Sequence, residues 1–209
     1  TNLTSLSIGY NQLTGSIPSE IGQLTNLTIL YLQSNQLTGD IPPEIGNLTN
    51  LIYLNLKHNQ LTGEVPLEIG NLTAIAQLWL SYNQLYGEIP ASFNNLNQLM
   101  QLSLHDNQFI GSIENLVHLT SIEWMSLSYN QFSGEIPEGI GNLTNLEVLL
   151  LHNNQLSGTI PESICNLEKL NWSSEYTDST SYISNNKLCP PYPSCIEQYV
   201  GEQDTTNCP

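Results

Sequence analysis

Arginine is absent from this chain, and lysine occurs only three times against 19 aspartates and glutamates, giving a formal net charge of −16. A surface so poor in cations excludes nucleic acid as a partner, because phosphate contacts need Lys and Arg. It also disfavours anionic membrane surfaces. No run of about 18 apolar residues occurs, so no membrane insertion is expected. The short motifs of hydrolases, zinc peptidases and phosphate-binding loops are missing, so the chain is not expected to be an enzyme or to hold a cofactor. No CxxC or paired His suggests a metal site. His58, His105 and His152 fall just after the strand of their copies, each two copies from the next, too far apart for one ion. No signal peptide is visible, and the chain begins at Thr1 in mid-repeat. A missing or upstream N-terminal cap is therefore expected.

What the sequence has in abundance is itself. The stretch Leu27 to Asn50, LTILYLQSNQLTGDIPPEIGNLTN, is copied with edits along most of the chain. Asparagine marks the same place in each copy, at Asn11, Asn35, Asn59, Asn83, Asn107, Asn130 and Asn154, in steps of 24, 24, 24, 24, 23 and 24 residues. A fixed period of this size means a solenoid. Within a copy, Leu30 and Leu32 alternate with Tyr31, as in a short half-buried strand. One strand per copy must pair with its neighbours, giving a parallel sheet along the whole molecule. The Asn after each strand is expected to form a ladder, its amide satisfying the turn backbone on both sides. Little α-helix is expected, with short second strands and 3₁₀ turns on the outside. Copy five breaks the pattern: SIENLVHL follows Gly111 where the copy before reads EIPASFNNL, which predicts a tighter outer turn.

The motif LxxLxLxxNxLtGxIP, as in Leu27, Leu30, Leu32, Asn35, Leu37, Gly39, Ile41 and Pro42, resembles the leucine-rich repeat of the plant-specific class, which also occurs in secreted bacterial proteins. The resemblance covers residues 1–170 as seven repeats. It implies a curved right-handed solenoid used for recognition, secreted or displayed at the cell surface. Residues 171–209 read as an irregular last repeat and a cap. Ile183, Asn186 and Leu188 match Leu151, Asn154 and Leu156, with eight extra residues in a Ser- and Thr-rich segment that predicts a surface loop. The tail, with Cys189, Cys195 and Cys208, resembles the Cys-containing caps of secreted bacterial members. Four cysteines clustered at one end predict a disulfide-stapled cap in an oxidising compartment. Three pairings are possible. Cys165–Cys189 with Cys195–Cys208 is expected, since each bond then closes one neighbouring loop.

Candidate binding residues are the outward positions of the strands. Tyr31, Tyr53 and Trp79 lie on adjacent strands and are expected to form one exposed patch, flanked by His58 and Tyr82. Trp124 and Tyr129 are expected to form a second. Leu150 is the unusual outward residue of the seventh copy. Core demand does not explain large aromatics on a face turned away from the leucines, and contiguous exposed aromatics mark binding surfaces. A protein, a peptide or a glycan fits such a face. Asp40, Glu64, Glu88 and Glu135 form a repeat-spaced column that reads as a solvated edge. Four alternatives remain open: a structural spacer or adhesin segment; an ice-binding protein, on the short column Thr14, Thr38, Thr62; an inhibitor of a secreted polysaccharide hydrolase; and a homodimer formed through solenoid ends or sheet edges. Six N-x-S/T sequons, at Asn2, Asn26, Asn47, Asn71, Asn142 and Asn171, come mostly from the repeat consensus GNLTN.

Overall fold

The computed structural model describes residues 2–173 and 180–209. The Ser- and Thr-rich stretch for which a surface loop is expected lies mostly outside the described residues. Seven three-residue strands, Ser5–Ser7, Ile29–Tyr31, Tyr53–Asn55, Gln77–Trp79, Gln101–Ser103, Trp124–Ser126 and Val148–Leu150, form one parallel sheet in sequential order. Register is exact across copies: Leu6 faces Leu30, Leu30 faces Leu54, and Leu54 faces Leu78. The alternation decides the face. Leu30, Leu54, Leu78 and Leu102 are fully buried, while Tyr31, Tyr53 and Trp79 stand on the other side.

After each strand the chain turns out through the Asn. Asn59 Nδ2 donates to Leu32 O at 3.1 Å in the copy before and to Leu56 O at 3.0 Å in its own, while its Oδ1 accepts from Leu37 N at 3.1 Å. The same bonds recur at Asn83, Asn107, Asn130 and Asn154, so the expected ladder is present. Asn186 extends it past the irregular segment, donating to Leu151 O and Ile183 O at 3.0 Å each. A feature the sequence did not announce precedes each ladder residue. Tyr10, Ser34, His58, Tyr82, Asp106, Tyr129, Asn153 and Asn185 all have φ between 52° and 56°. These are left-handed conformations at residues other than glycine, which sterics ordinarily disfavour.

The outer side carries a second tier of short parallel strands, from Thr14–Gly15, Gln36–Asp40 and Gln60–Thr62 onward to Lys187–Cys189. Beyond it a proline opens each five-residue 3₁₀ turn. Pro42, for example, has φ −67° and its carbonyl accepts from Ile45 N at 2.9 Å. Proline there fixes φ and has no N–H left to satisfy. In copy five Ile113 takes that place and the 3₁₀ turn shrinks to Glu114–Leu116, the tighter outer turn expected. No α-helix occurs among the described residues, and none of them forms a helix long and apolar enough to cross a membrane. One continuous core of Leu, Ile, Val, Phe and Met runs the length of the solenoid.

The cysteine pairing differs from the expected one. Cys165 bonds Cys195 and Cys189 bonds Cys208, with Cα separations of 5.8 and 5.5 Å. The reason is strand pairing. Cys189 lies on an outer strand opposite Thr159, six residues before Cys165 and on a different tier. The chain then passes Pro190, Pro191 and Pro193 and brings Cys195 back to the 3₁₀ turn Glu162–Asn166 that carries Cys165. The two bonds interleave and so fasten the last regular repeat to the tail. Replacing Cys165 and Cys195 together by serine is expected to cost about 3.6 kcal/mol of stability by the loop-entropy argument for a separation of 30 residues. Thermal melting of the variant checks the loss, and non-reducing peptide mapping checks the pairing.

Candidate functional site

The concave sheet gathers its large side chains where neighbouring ones are small. Ser103 and Ser126 stand opposite and beyond Trp79 in register, and Gln101 stands opposite Trp124. Two indoles two strands apart on the diagonal, with the smaller Gln101 and Ser103 on the strand between them, leave a hollow. Its volume is about 450 Å³, and Lys57, Trp79, Ser81, Tyr82, Gln101, Ser103, His105 and Trp124 line it. Lys57 Nζ lies 5.4 Å from the Trp79 ring centre, a cation–π arrangement. The His58 and Tyr82 rings stack at 4.1 Å with 8° between planes, and His105 meets Tyr82 edge-on at 4.9 Å. Ser103 Oγ and Ser126 Oγ each sit 3.1 Å from His105 Nδ1, which fixes the imidazole against the sheet. These contacts seat the rings of the hollow's wall against one another and against the sheet.

The expected grouping of residues is partly redrawn. Tyr31, Tyr53 and Trp79 do share the concave face, where burial, and to a lesser degree the neighbouring Tyr53, raises the Tyr31 pKa. Trp124, however, lines the same hollow as Trp79 and Tyr82, not a separate patch with Tyr129. Tyr129, 52% exposed, instead meets His152 edge-on at 5.2 Å. Trp79 and Trp124 are half-buried, where exposure was expected, because each has neighbours on the sheet to lie against. Leu150 is buried although its side chain faces away from the leucine core. The cause is the irregular segment. Tyr182 pairs with Leu150, Tyr182 N donates to Leu149 O at 3.0 Å, and Trp172 pairs with Ser181. Tyr182 therefore continues the sheet beside Leu150. No signal in the repeat pattern could have shown this, because the segment departs from the pattern.

Charge at the rim follows from crowding. Partial burial lowers the His58 pKa, Lys57 lowers it further, and Asp106 opposes both. Burial raises the Asp106 pKa, with His58 opposing. His152 is the extreme case. Burial brings its pKa down to about 4, against a weaker opposing effect of a backbone hydrogen bond with Tyr182. Its ordinary value is about 6.5. Between those two values the unfolded chain binds a proton that the folded chain refuses, so stability is full above about pH 6.5 and falls as the pH drops toward 4. The expected outcome is a urea midpoint that declines across this window, with a shallower decline in His152→Gln. Among the described residues no group of three metal-ligating side chains comes together.

Comparison with known proteins places this geometry. Leucine-rich repeat models match residues 1–44 and 25–68 as two-copy units, and residues 75–96, 121–143 and 145–167 as single repeats. Together these cover more than half of the chain. A comparison with curated proteins returned no match. Among solved structures, a plant peptide hormone receptor in complex with its peptide is 40% identical with a TM-score of 0.80, over 89% of this chain and 28% of that one. The Arabidopsis receptor kinase HAESA, in complex with the peptide hormone IDA and a co-receptor, is 37% identical with a TM-score of 0.82, over 90% and 30%. A plant ice-binding protein is 30% identical with a TM-score of 0.74, over 92% and 59%. The chain thus spans less than a third of the two receptors. These matches are to plant proteins, and none supports a bacterial affinity for the cysteine-containing tail. Ectodomain relatives and two disulfides make this an extracellular domain, secreted or at the cell surface. With its repeats, its asparagine ladder and its solenoid all in one register, the chain belongs to the leucine-rich repeat family.

Proposed function

We propose that this domain is a non-enzymatic recognition module that binds a peptide on its concave sheet. The observation that carries the proposal is the hollow of about 450 Å³ between Trp79 and Trp124, walled by aromatic rings that are held in place without a ligand. A preformed aromatic surface loses little entropy when a peptide docks. The similarity to plant receptors solved with peptide hormones supports the same reading. Tyr31, Tyr53, His58, Tyr82 and Tyr129 extend the contact surface along the sheet. The test is tryptophan fluorescence during titration with a peptide panel. Saturable quenching that disappears in Trp79→Ala or Trp124→Ala supports concave binding. Quenching that survives both substitutions places binding elsewhere.

The similarity to a plant ice-binding protein motivates a second reading. The outer tier exposes an unbroken column of Gln12, Gln36, Gln60, Gln84, Gln108, Gln131 and Gln155. Beside it, Thr14, Thr38 and Thr62 give way to Tyr86 and Ile110, both exposed, which interrupts any flat polar lattice. Ice binding through this tier predicts thermal hysteresis that is lost in Gln60→Trp and unchanged in Trp79→Ala. A freezing point equal to the melting point removes this reading.

A further inference from the structure

We infer that the hollow selects a peptide with a side-chain carboxylate, an Asp or Glu that rests against Lys57 while a neighbouring apolar or aromatic side chain lies between Trp79 and Trp124. This inference rests on the peptide-binding reading and names its ligand class. Lys57 is the only residue lining the hollow that carries a formal charge, histidine being neutral, and no carboxylate lines it. Its Nζ stands 5.4 Å from the Trp79 ring centre. Its backbone is held, with Lys57 N donating to Asn55 Oδ1 at 3.2 Å and Lys57 O accepting from Ser34 N at 2.9 Å. The chain has 19 aspartates and glutamates, yet among the described residues none forms an ion pair with Lys57. Asp106, whose charge acts on the neighbouring His58, is not part of the lining.

The Trp79 ring attracts the ammonium but gives its three N–H donors no oxygen. A second donor lies at the foot of the hollow. Ser103 Oγ and Ser126 Oγ each sit 3.1 Å from His105 Nδ1. That nitrogen offers either one lone pair or one N–H. As an acceptor it takes one of the two hydroxyl protons and leaves the other. As a donor it leaves both. At least one hydroxyl proton is therefore unspent, and Ser103 is among the lining residues. An ammonium and a hydroxyl both call for an acceptor, and a carboxylate brings two oxygens and the opposite charge. Position favours a side chain over a chain terminus. Tyr31 and Trp79 are the register partners of Asn55 on the strands to either side. Lys57, two residues beyond Asn55, therefore has aromatic surface on both flanks. A peptide that uses both has chain on either side of its carboxylate, which Asp or Glu allows and a C-terminus does not. The net charge of −16 repels anions at longer range, so one carboxylate in an otherwise neutral or basic peptide fits, and an acidic run does not.

Panning a random peptide library displayed on phage against the whole domain tests this. The expected result is enrichment of one Asp or Glu beside an aromatic or large apolar residue, without an acidic run. Two synthetic forms of the enriched sequence separate the sources of a carboxylate. One keeps the Asp or Glu and has an amidated C-terminus; the other has Asn or Gln in its place and a free C-terminus. The first is expected to bind roughly tenfold more weakly to Lys57→Gln and to keep most of its affinity for Lys57→Arg. The second is expected to bind weakly to the unaltered domain and to be indifferent to Lys57→Gln, which couples the side-chain carboxylate to that lysine. Binding of the first is also expected to weaken in Trp79→Ala. Matching circular dichroism and melting temperature confirm that the variants are folded. Peptides that need Trp79 but carry no acidic side chain, or bind Lys57→Gln unchanged, or depend on Lys57 only through a free C-terminus, overturn the inference and leave the peptide-binding reading standing. Failure to select any peptide that depends on Trp79 or Trp124 overturns both.

Discussion

Asn154→Ala is expected to lower stability by about 2–4 kcal/mol, from one buried N–H left unpaired at about 1–3 kcal/mol and from three further bonds lost at carbonyls that keep another donor. Asn154 Nδ2 donates to Leu127 O and Leu151 O at 3.0 Å each and to His152 O at 3.4 Å, while its Oδ1 accepts from Phe132 N at 3.1 Å. All four bonds are buried, and they join two successive turns. Alanine removes the amide and leaves the Phe132 N–H without its acceptor and out of reach of water, while Leu127 O, Leu151 O and His152 O keep Asn130 Nδ2, Asn186 Nδ2 and Tyr129 N as donors. Asn154→Asp is a sharper probe. It keeps an acceptor for Phe132 N but turns a carboxylate toward backbone carbonyls. It is therefore expected to be at least as damaging at neutral pH. Asn11→Ala is the control: Asn11 donates only to Ile8 O and Gly9 O, and both bonds are exposed. Its loss is expected to stay below about 1 kcal/mol, since water replaces what is removed. Urea titration followed by circular dichroism measures all three. Equal losses at Asn11 and Asn154 would show that ladder bonds are not what holds adjacent turns together.

Phe109→Ala is expected to cost about 4 kcal/mol, within the range for truncating a buried phenylalanine. Phe109 and Phe132 are fully buried and stack at 6.0 Å with 8° between planes. They take the place that Leu37, Leu61, Leu85 and Leu156 hold in other copies. The substitution of larger rings falls where the outer turn is one residue short, between Gly111 and Asn130. A shorter outer arc brings less side-chain volume to the core, and the rings fill what it leaves. On that account Phe109→Leu, harmless by analogy with the copies that carry leucine, still opens a void. It is expected to cost about 1–2 kcal/mol. A loss near zero would show that the short turn needs no compensation. Melting temperatures of the two variants distinguish these outcomes.

The solenoid, the ladder and the direction of each leucine were legible because one register repeats and errors in a single copy average out. Leu30 and Leu54 had to be inside for the same reason, and they are. What stayed hidden belongs to single places. Trp124 joins Trp79 through the smallness of Ser103 and Ser126, and smallness at a surface position carries no pattern. Leu150 is buried by Tyr182, 32 residues downstream, on a turn whose length the period does not govern. The cysteines pair according to which tier each strand occupies, whereas sequence distance favoured the wrong partners. His152 looked like one of three rim histidines, yet it is the buried one, for the same local reason as Leu150.

The eight left-handed residues before the ladder asparagines are Tyr, Ser, His, Tyr, Asp, Tyr, Asn and Asn, and their φ angles agree within 4°. Side chains as different as serine and tyrosine sit on one backbone shape. The shape is imposed by the bonds around it, such as Tyr82 N to His105 O and Asn83 N to Asp106 O, and the residue merely accommodates it. For a lineage, this separates inheritance of the scaffold from inheritance of its taste. Under the proposed peptide-binding role, substitution at these rim positions changes the contact surface while the architecture passes on unaltered. Gene duplication of a 24-residue turn then delivers a new rim position already in working order.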